Sequence, residues 1–161
     1  MRKDFAAFLH QVMLVDSRVF LVIADLGYKL WDDIKRDFPE RFINIGAAEQ
    51  VGMGICVGLA LEGKIPIFYS ITPFAIYRPF ETIRNYLSNE QVPVKIVSSG
   101  RDKDYAYEGF SHWATEVKPV LSHLQIEQYY PQDTGMFKDD MNEVFRKFIY
   151  NGKPSYLNLV K

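Results

Sequence analysis

The 161-residue sequence contains one cysteine, Cys56, in an apolar run. A disulfide within the chain is therefore impossible, and a thiolate metal site is not expected. Lysine and arginine number 19, and aspartate and glutamate number 20, so the formal charge is only −1. Because such a chain has no strong field of one sign, we expect neither a nucleic-acid partner nor a membrane partner.

Long hydrophobic runs are also missing. The longest candidate, residues 51–60, is too short to cross a bilayer and is followed by Glu62 and Lys64. The first five residues carry charges and lack the apolar core of a signal peptide. We therefore expect a soluble protein, with the cytoplasm as the default compartment.

Several functional motifs are absent as well. The sequence has no glycine-rich phosphate loop, no nucleophile elbow and no pair of histidines at metal-ligand spacing. These absences argue against dinucleotide binding, serine-hydrolase chemistry and a metal site on this chain.

What the sequence does contain is a regular alternation of apolar strand patterns and amphipathic helix patterns. The predicted strands are residues 18–24, 41–45, 65–71, 92–98, 126–130 and 155–160. The predicted helices are residues 5–13, 30–38 in part, 47–63, 74–89, 115–124 and 139–150. This order predicts one α/β domain over residues 1–161, with three layers (α/β/α) and a mostly parallel sheet of about six strands.

The predicted helix at residues 47–63 is unusually apolar and rich in glycine. Gly52, Gly54 and Gly58 lie within it, although a glycine inside a helix costs about 1 kcal/mol. No charge occurs between Glu49 and Glu62, which predicts a helix buried on all sides. In a domain of this size, we expect another protein chain to cover its far side.

Polar residues follow several predicted strands, where parallel α/β folds bind their ligands. The segments concerned are residues 25–27, 46–50, 72–78 and 99–112. Taken alone, Glu49 is a first-turn helix glutamate, favoured by the helix dipole by roughly 0.3–1 kcal/mol. Phe74 alone is a core aromatic, and Arg78 alone is equally consistent with a surface salt bridge.

Several segments in the same order resemble the pyrimidine-binding domain of transketolases. They are residues 41–50 (RFINIGAAEQ), 58–66 (GLALEGKIP), 78–85 (RPFETIRN) and 93–97 (PVKIV). Residues 109–112 (GFSH) resemble that family's Gly-Pro-Thr-His segment, and residues 152–157 (GKPSYL) extend the match. The resemblance covers the whole chain, and it implies thiamine diphosphate as cofactor.

The resemblance also implies roles for individual residues. Glu49 matches the carboxylate that bonds to N1′ of the aminopyrimidine and thereby activates the cofactor. Phe74 matches the aromatic residue that stacks on this ring, and we expect Tyr77 to extend the same platform. Asp25, followed by Leu26, matches an acid near the cofactor and the substrate.

For the substrate, the resemblance points to a second group of residues. His112 matches a histidine that contacts the reacting end of the sugar and moves protons. Glu108 stands where the family often has an aspartate that binds a sugar hydroxyl, and Arg2 matches an arginine that binds the sugar phosphate.

Other positions near the expected site depart from the family pattern. Arg78 is expected to close the site or to meet the partner chain. Lys29 and Tyr28 stand where smaller residues are usual, and Gly100 replaces a common histidine. Lys29 and Arg78 are further candidate contacts to the substrate.

The family's Gly-Asp-Gly motif, which binds Mg²⁺ and the diphosphate, is absent from the sequence. We therefore expect a partner subunit to carry the diphosphate-binding domain and the Mg²⁺ ligands, in an α₂β₂ assembly. The resemblance implies transfer of a two-carbon ketol unit between sugars, with sugar phosphates the expected substrates. A split thiamine-dependent decarboxylase or acyl transferase and a noncatalytic stabilising partner are the alternatives; His112 and Glu108 favour sugars.

Overall fold

The computed structural model describes residues 1–133 and 138–160. The strands are β1 (Val19–Ile23), β2 (Phe42–Asn44), β3 (Ile65–Ile71), β4 (Lys95–Ser99), β5 (Glu127–Tyr129) and β6 (Ser155–Leu159). The helices are α1 (Arg2–Val15), α2 (Asp32–Asp37), α3 (Glu49–Leu61), α4 (Thr72–Tyr77), α5 (Phe80–Thr82), α6 (Val117–Ser122) and α7 (Lys138–Tyr150). A π-helix follows α5 at Ile83–Asn89, and short 3-10 turns occur at Pro39–Arg41, Ala106–Glu108, Phe110–His112 and Pro131–Asp133.

The strands form one sheet in the order β2-β1-β3-β4-β6-β5. All five neighbouring pairs are parallel, so the predicted parallel α/β fold is confirmed. Every residue of β4 and β6 is buried, because helices cover both faces of the sheet. All strands therefore end at the same edge, and the loops that follow them meet there.

Two hydrophobic cores fill the spaces between the layers. On one face, α1 and α7 pack through aromatic side chains, with the rings of Phe5 and Phe145 5.1 Å apart in an edge-to-face contact. On the other face, α3, α4 and α6 pack through aliphatic residues such as Met53, Ile76 and Leu121. Each fully buried side chain of this kind contributes about 1.5–3 kcal/mol.

The continuous helix expected at residues 74–89 is wrong. The chain instead forms α4, α5 and the π-helix, with the first break at Arg78 and Pro79. Pro79 has no N–H to donate, and its ring clashes with the carbonyl group four residues earlier in a regular helix. Ile76, Ile83 and Leu87 are nevertheless fully buried, so the apolar stripe persists across the breaks.

Within this chain, α3 is covered on one side only, and its cover by another chain stays a prediction. Gly52 faces the sheet, and a Cβ there would lie 2.8 Å from the ring of Phe68. Gly54 and Gly58 are exposed, and a Cβ at either position would meet nothing within 4 Å. Val51 and Leu61 are exposed on the same helix. Packing within the chain therefore explains Gly52 but not Gly54 or Gly58.

Lys95 at the start of β4 is buried, with 1% of its surface exposed. Its Nζ donates to Asn151 Oδ1 and to the carbonyl oxygen of Lys153, 2.5 Å away. Burial lowers the pKa of Lys95 to about 8, although nearby Glu127 acts in the opposite direction. Between pH 8 and about 10.5, the unfolded chain therefore holds a proton on this side chain that the folded chain has lost.

This pKa shift predicts how stability depends on pH. Because the unfolded state binds more protons in this window, the Lys95 contribution to the free energy of unfolding rises with pH. Cys56 has the opposite effect on the pH dependence of stability, because burial raises the pKa of its thiol. We therefore expect the free energy of unfolding of the parent chain to rise by roughly 2 kcal/mol relative to that of Lys95→Met between pH 7 and pH 10.

Urea unfolding at each pH measures this difference. Lys64→Met, at an exposed position just before β3, is the matched control and is expected to leave the pH dependence unchanged. Parallel curves for the parent and Lys95→Met would contradict the prediction.

A separate finding concerns the length of the helices. Within the described part of the chain, none is both long and apolar enough to cross a membrane.

Candidate active site

The carboxyl edge of the sheet brings together the loops after β1, β2, β3 and β4. The sheet order changes direction at β1, which lies between β2 and β3. In open parallel sheets, a crevice forms at such a switch point and holds the ligand. The site predicted from the sequence therefore lies where this fold binds small molecules.

Glu49 is the first residue of α3 and is buried, with 3% of its surface exposed. The turn before it passes through Gly46, whose φ of +63° is readily adopted only by glycine. Glu49 Oε1 accepts a hydrogen bond of 2.6 Å from Arg78 Nη1. Glu49 Oε2 is buried and has no hydrogen-bond partner within the described chain. A buried polar atom without a partner costs roughly 1–3 kcal/mol, so this oxygen would gain from a hydrogen-bond donor on a ligand.

Phe74 is the third residue of α4, and Arg78 caps the C-terminus of this helix one turn later, on the same side. The guanidinium carbon of Arg78 lies 3.7 Å from the centre of the Phe74 ring, in a cation–π contact. On the other side of the site, the His112 ring meets the Phe74 ring edge-on, with 4.9 Å between centres. Glu49, Arg78, Phe74 and His112 therefore form one continuous group.

His112 ends a short 3-10 turn in the loop after β4 and is half-buried. Its Nδ1 lies 3.1 Å from Ser111 Oγ, which leaves Nε2 as the nitrogen available to a ligand.

Tyr77 differs from the expected extension of the Phe74 platform. Its side chain is 39% exposed, and burial of the remainder raises its pKa. No ring contact joins Tyr77 to Phe74 among the described residues. Its role in binding the cofactor stays a prediction.

Asp25, at the end of β1, belongs to a second group. Its backbone N–H donates to Asn44 Oδ1 at 3.1 Å, and its carboxylate accepts from Asn44 Nδ2 at 3.2 Å. Asn44 Oδ1 also accepts from the backbone N–H of Gly46, in the turn that leads to Glu49. Sequence reasoning missed Asn44, although an amide side chain at the end of a strand beside a predicted site is a recognisable signal.

The same group lines a crevice of about 350 Å³. Lys29 adopts a positive φ of +58° and carries its ammonium 5.3 Å from the Tyr28 ring centre. Leu26 packs partly against the core beside α1. Asp25, Leu26 and Lys29 are therefore close to one another.

Arg2 reaches the same edge from the start of α1. Its Nη1 donates to the hydroxyl of Tyr105 at 3.3 Å, and that hydroxyl lies 2.8 Å from Ser99 Oγ at the end of β4. The Tyr105 ring covers Gly100, where a Cβ would lie 2.3 Å from the ring. Gly100 has a φ of +89°, so glycine is needed here for both conformation and space.

Glu108 lies farther along this loop and is exposed. Tyr107 and Phe110, on either side of it, are also exposed. The structure therefore places Glu108 at the outer end of the loop, while Gly100 and Tyr105 form its base.

A buried polar network supports this base from below. Thr72 Oγ1 donates to the carbonyl oxygen of Gly100 at 2.5 Å, and Asn158 Nδ2 donates to the same oxygen at 3.0 Å. Ser98 and Tyr156 complete the network, and their side-chain oxygens lie 2.7 Å apart. These bonds hold together the ends of β3, β4 and β6.

The remaining candidate ligands do not assemble into a metal site. In residues 1–133 and 138–160, no three acidic, histidine or cysteine side chains are placed to hold a metal ion. His10 lies away from the carboxyl edge and pairs with Asp37, with 2.8 Å between Nε2 and Oδ2.

The fold and this carboxyl-edge group are typical of α/β domains that bind a small molecule or cofactor at their strand ends. Residues 1–157 match the family model described as the transketolase pyrimidine-binding domain. The chain therefore belongs to the transketolase family as a pyrimidine-binding domain, which confirms the resemblance found in the sequence. This family depends on thiamine diphosphate.

Curated relatives include proteins described as parts of transketolases. A putative transketolase C-terminal section from Methanocaldococcus jannaschii is 35% identical over 117 residues, covering 72% of this chain and 37% of that protein. A 6-deoxy-6-sulfo-D-fructose transketolase subunit from Clostridium sp. is 26% identical over 165 residues, covering 100% of this chain and 49% of that protein. The chain thus spans about half, or less, of the length of these relatives.

Solved structures show the same architecture. A split-gene transketolase, described as an inactive β₄ tetramer, has a TM-score of 0.82 and 27% identity; the match covers 99% of this chain and 50% of that one. Transketolase from Leishmania mexicana has a TM-score of 0.84 and 18% identity, covering 99% of this chain and 25% of that one. The second likeness concerns the fold alone.

Proposed function

We propose that this chain supplies the pyrimidine-binding half of a split transketolase, which transfers a two-carbon ketol unit between sugars. Glu49 carries the proposal: its Oε2 is buried and has no hydrogen-bond partner in the described chain. The Arg78 side chain contacts both this carboxylate and the Phe74 ring, so the two groups lie next to the same guanidinium. The carboxylate and the aromatic ring are therefore close enough to contact one flat ligand.

These residues fit the aminopyrimidine of thiamine diphosphate. Glu49 is placed to bond to the ring nitrogen and to hold or return its proton, and Phe74 offers a face for stacking. When bound, thiamine diphosphate supplies the electron sink for breaking a carbon–carbon bond beside a ketose carbonyl. The protein's contribution is to orient the ring and to exclude water from its contact with Glu49.

In this proposal, the sugar substrate is contacted by His112, Glu108, Asp25, Arg2 and Lys29. His112 presents Nε2 beside the Phe74 ring and is suited to exchange protons with a sugar hydroxyl or carbonyl. Glu108 and Asp25 offer carboxylates to hydroxyl groups. Arg2 and Lys29 offer cations to a phosphate group, which favours sugar phosphates as substrates.

We further propose that a partner subunit binds the diphosphate and the Mg²⁺, in an α₂β₂ complex. Support comes from relatives that are named as subunits. One of them, a subunit of apulose-4-phosphate transketolase from Phocaeicola vulgatus, is 30% identical over 121 residues. The solved split-gene relative is described as an inactive β₄ tetramer. The cytoplasm remains the expected compartment.

Reconstitution with a diphosphate-domain subunit tests this function. The pair is assayed with a ketose phosphate donor and an aldose acceptor, and in parallel with pyruvate as the donor. We expect ketol transfer to the aldose from the pair and none from either subunit alone. Turnover of pyruvate without ketol transfer would instead identify a decarboxylase or acyl transferase, and an inert chain that only stabilises its partner would refute catalysis.

A further inference from the structure

Arg78 occupies the space between the two groups assigned to the aminopyrimidine. Its Nη1 lies 2.6 Å from Glu49 Oε1, and its guanidinium carbon lies 3.7 Å from the centre of the Phe74 ring. A guanidinium is flat, cationic and rich in N–H donors, so it satisfies an acceptor and an aromatic face at once. Arg78 thus covers one face of Phe74 and bonds to one oxygen of Glu49, while the other oxygen, Oε2, has no partner in the described chain.

A pyrimidine ring needs the same two contacts and is also flat. The stacking distance of 3.7 Å leaves no room for a second flat group between Arg78 and Phe74 on this face. We propose that Arg78 is an internal competitor for the pyrimidine site, so that the cofactor binds only by displacing its side chain from Glu49 and Phe74. This inference rests on the function proposed above.

The surroundings of Arg78 allow such a movement. Its side chain is 43% exposed, whereas Glu49 is 3% exposed, so the arginine has open solvent to enter and the glutamate does not. Arg78 caps α4 immediately before Pro79, where the helix is already broken. Glu49 is its only ion-pair partner in the described chain. A change of side-chain rotamers is therefore sufficient.

Displacement gives the site a means of selection. A ligand displaces Arg78 only if it both donates to Glu49 and stacks on Phe74. Either contact alone is weaker than the two contacts that Arg78 makes with these residues. Until then, Arg78 supplies a partner for one oxygen of a buried carboxylate. Inorganic diphosphate, which offers neither a donor ring nor a face, is expected to leave Arg78 in place.

Titration of the chain, reconstituted with the diphosphate-domain subunit, with thiamine diphosphate and MgCl₂ tests the exchange. The Arg78 side-chain N–H signal, observed by NMR with ¹⁵N labelling, reports the Phe74 ring current. We expect this signal to lose its ring-current shift as the ligand saturates the chain. By calorimetry, Arg78→Met is expected to bind the ligand about 5-fold more tightly, since removing a competing state raises apparent affinity by its share of the population.

Arg84→Met is the matched control, because Arg84 is an exposed arginine on the following π-helix. Its affinity is expected to equal that of the parent chain. Arg78→Lys keeps the charge without the planar fork and is expected to bind with intermediate affinity, so it provides a second folded variant.

The outcomes separate the two proposals. Binding with an unchanged Arg78 signal, or equal or weaker binding by Arg78→Met and Arg78→Lys, would overturn the competition and leave the proposed function intact. Failure of the reconstituted parent complex and of every variant complex to bind at millimolar thiamine diphosphate would refute the cofactor assignment, and the competition with it.

Discussion

Glu49→Gln is expected to reduce ketol transfer by the reconstituted complex by at least about 100-fold. Glutamine has nearly the shape of glutamate and can still accept a hydrogen bond from Arg78, so α3 and the complex should form normally. It cannot take up and return a proton, which is the role proposed for Glu49. The rate is measured with saturating ketose phosphate and cofactor, and assembly is followed by size-exclusion chromatography.

Glu62→Gln provides the control for this variant. Glu62 caps the other end of α3 and is exposed, so the substitution changes the charge of the same helix away from the site. Its turnover is expected to match the parent complex. Full turnover by Glu49→Gln with intact assembly would remove the catalytic assignment and leave the noncatalytic alternative.

Gly58→Leu is expected to weaken assembly with the partner subunit by more than about 100-fold, because small residues permit close approach of helices and bulky ones prevent it. The isolated chain should fold normally, since a Cβ at Gly58 meets nothing within 4 Å.

For the same reason, Gly54→Ala and Gly58→Ala should each raise the free energy of unfolding of the isolated chain by roughly 0.5–1 kcal/mol. Urea unfolding and sedimentation velocity measure the two effects.

Gly52→Ala is the matched substitution with the opposite expected sign. Its Cβ would lie 2.8 Å from the Phe68 ring and 3.1 Å from Ile45, so the isolated chain should be destabilised. If Gly58→Leu assembled as well as the parent, the exposed side of α3 would not be the surface that meets the partner.

The sequence predicted the fold well because each strand and most helices carry their own apolar pattern. The pattern failed at residues 74–89, where Ile76, Ile83 and Leu87 keep helical spacing and full burial although the helix is broken. Periodicity reports which residues face the core; it does not report which backbone hydrogen bonds form. Pro79 was the available signal for the break.

The site was predicted only in part, for a different reason. The resemblance pointed to Glu49, Phe74 and His112 one by one, and the structure brings them into a single group. The bond between Arg78 and Glu49 joins residues 29 positions apart and depends on how β3 lies beside β1. No local pattern encodes such a pair, so the sequence alone left Arg78 equally consistent with a surface salt bridge.

The loop after β4 combines a constrained base with a free tip, and this division affects how substrate range can evolve. Gly100 and Tyr105 are fixed by contact and backbone conformation, and Thr72 and Asn158 hold the loop's first carbonyl group. Glu108, at the exposed end, carries no such constraint from the core. If Glu108 binds a sugar hydroxyl, as proposed above, substitutions at the tip would change which sugar is recognised without a loss of stability, and specificity would diverge while the cofactor site stays the same.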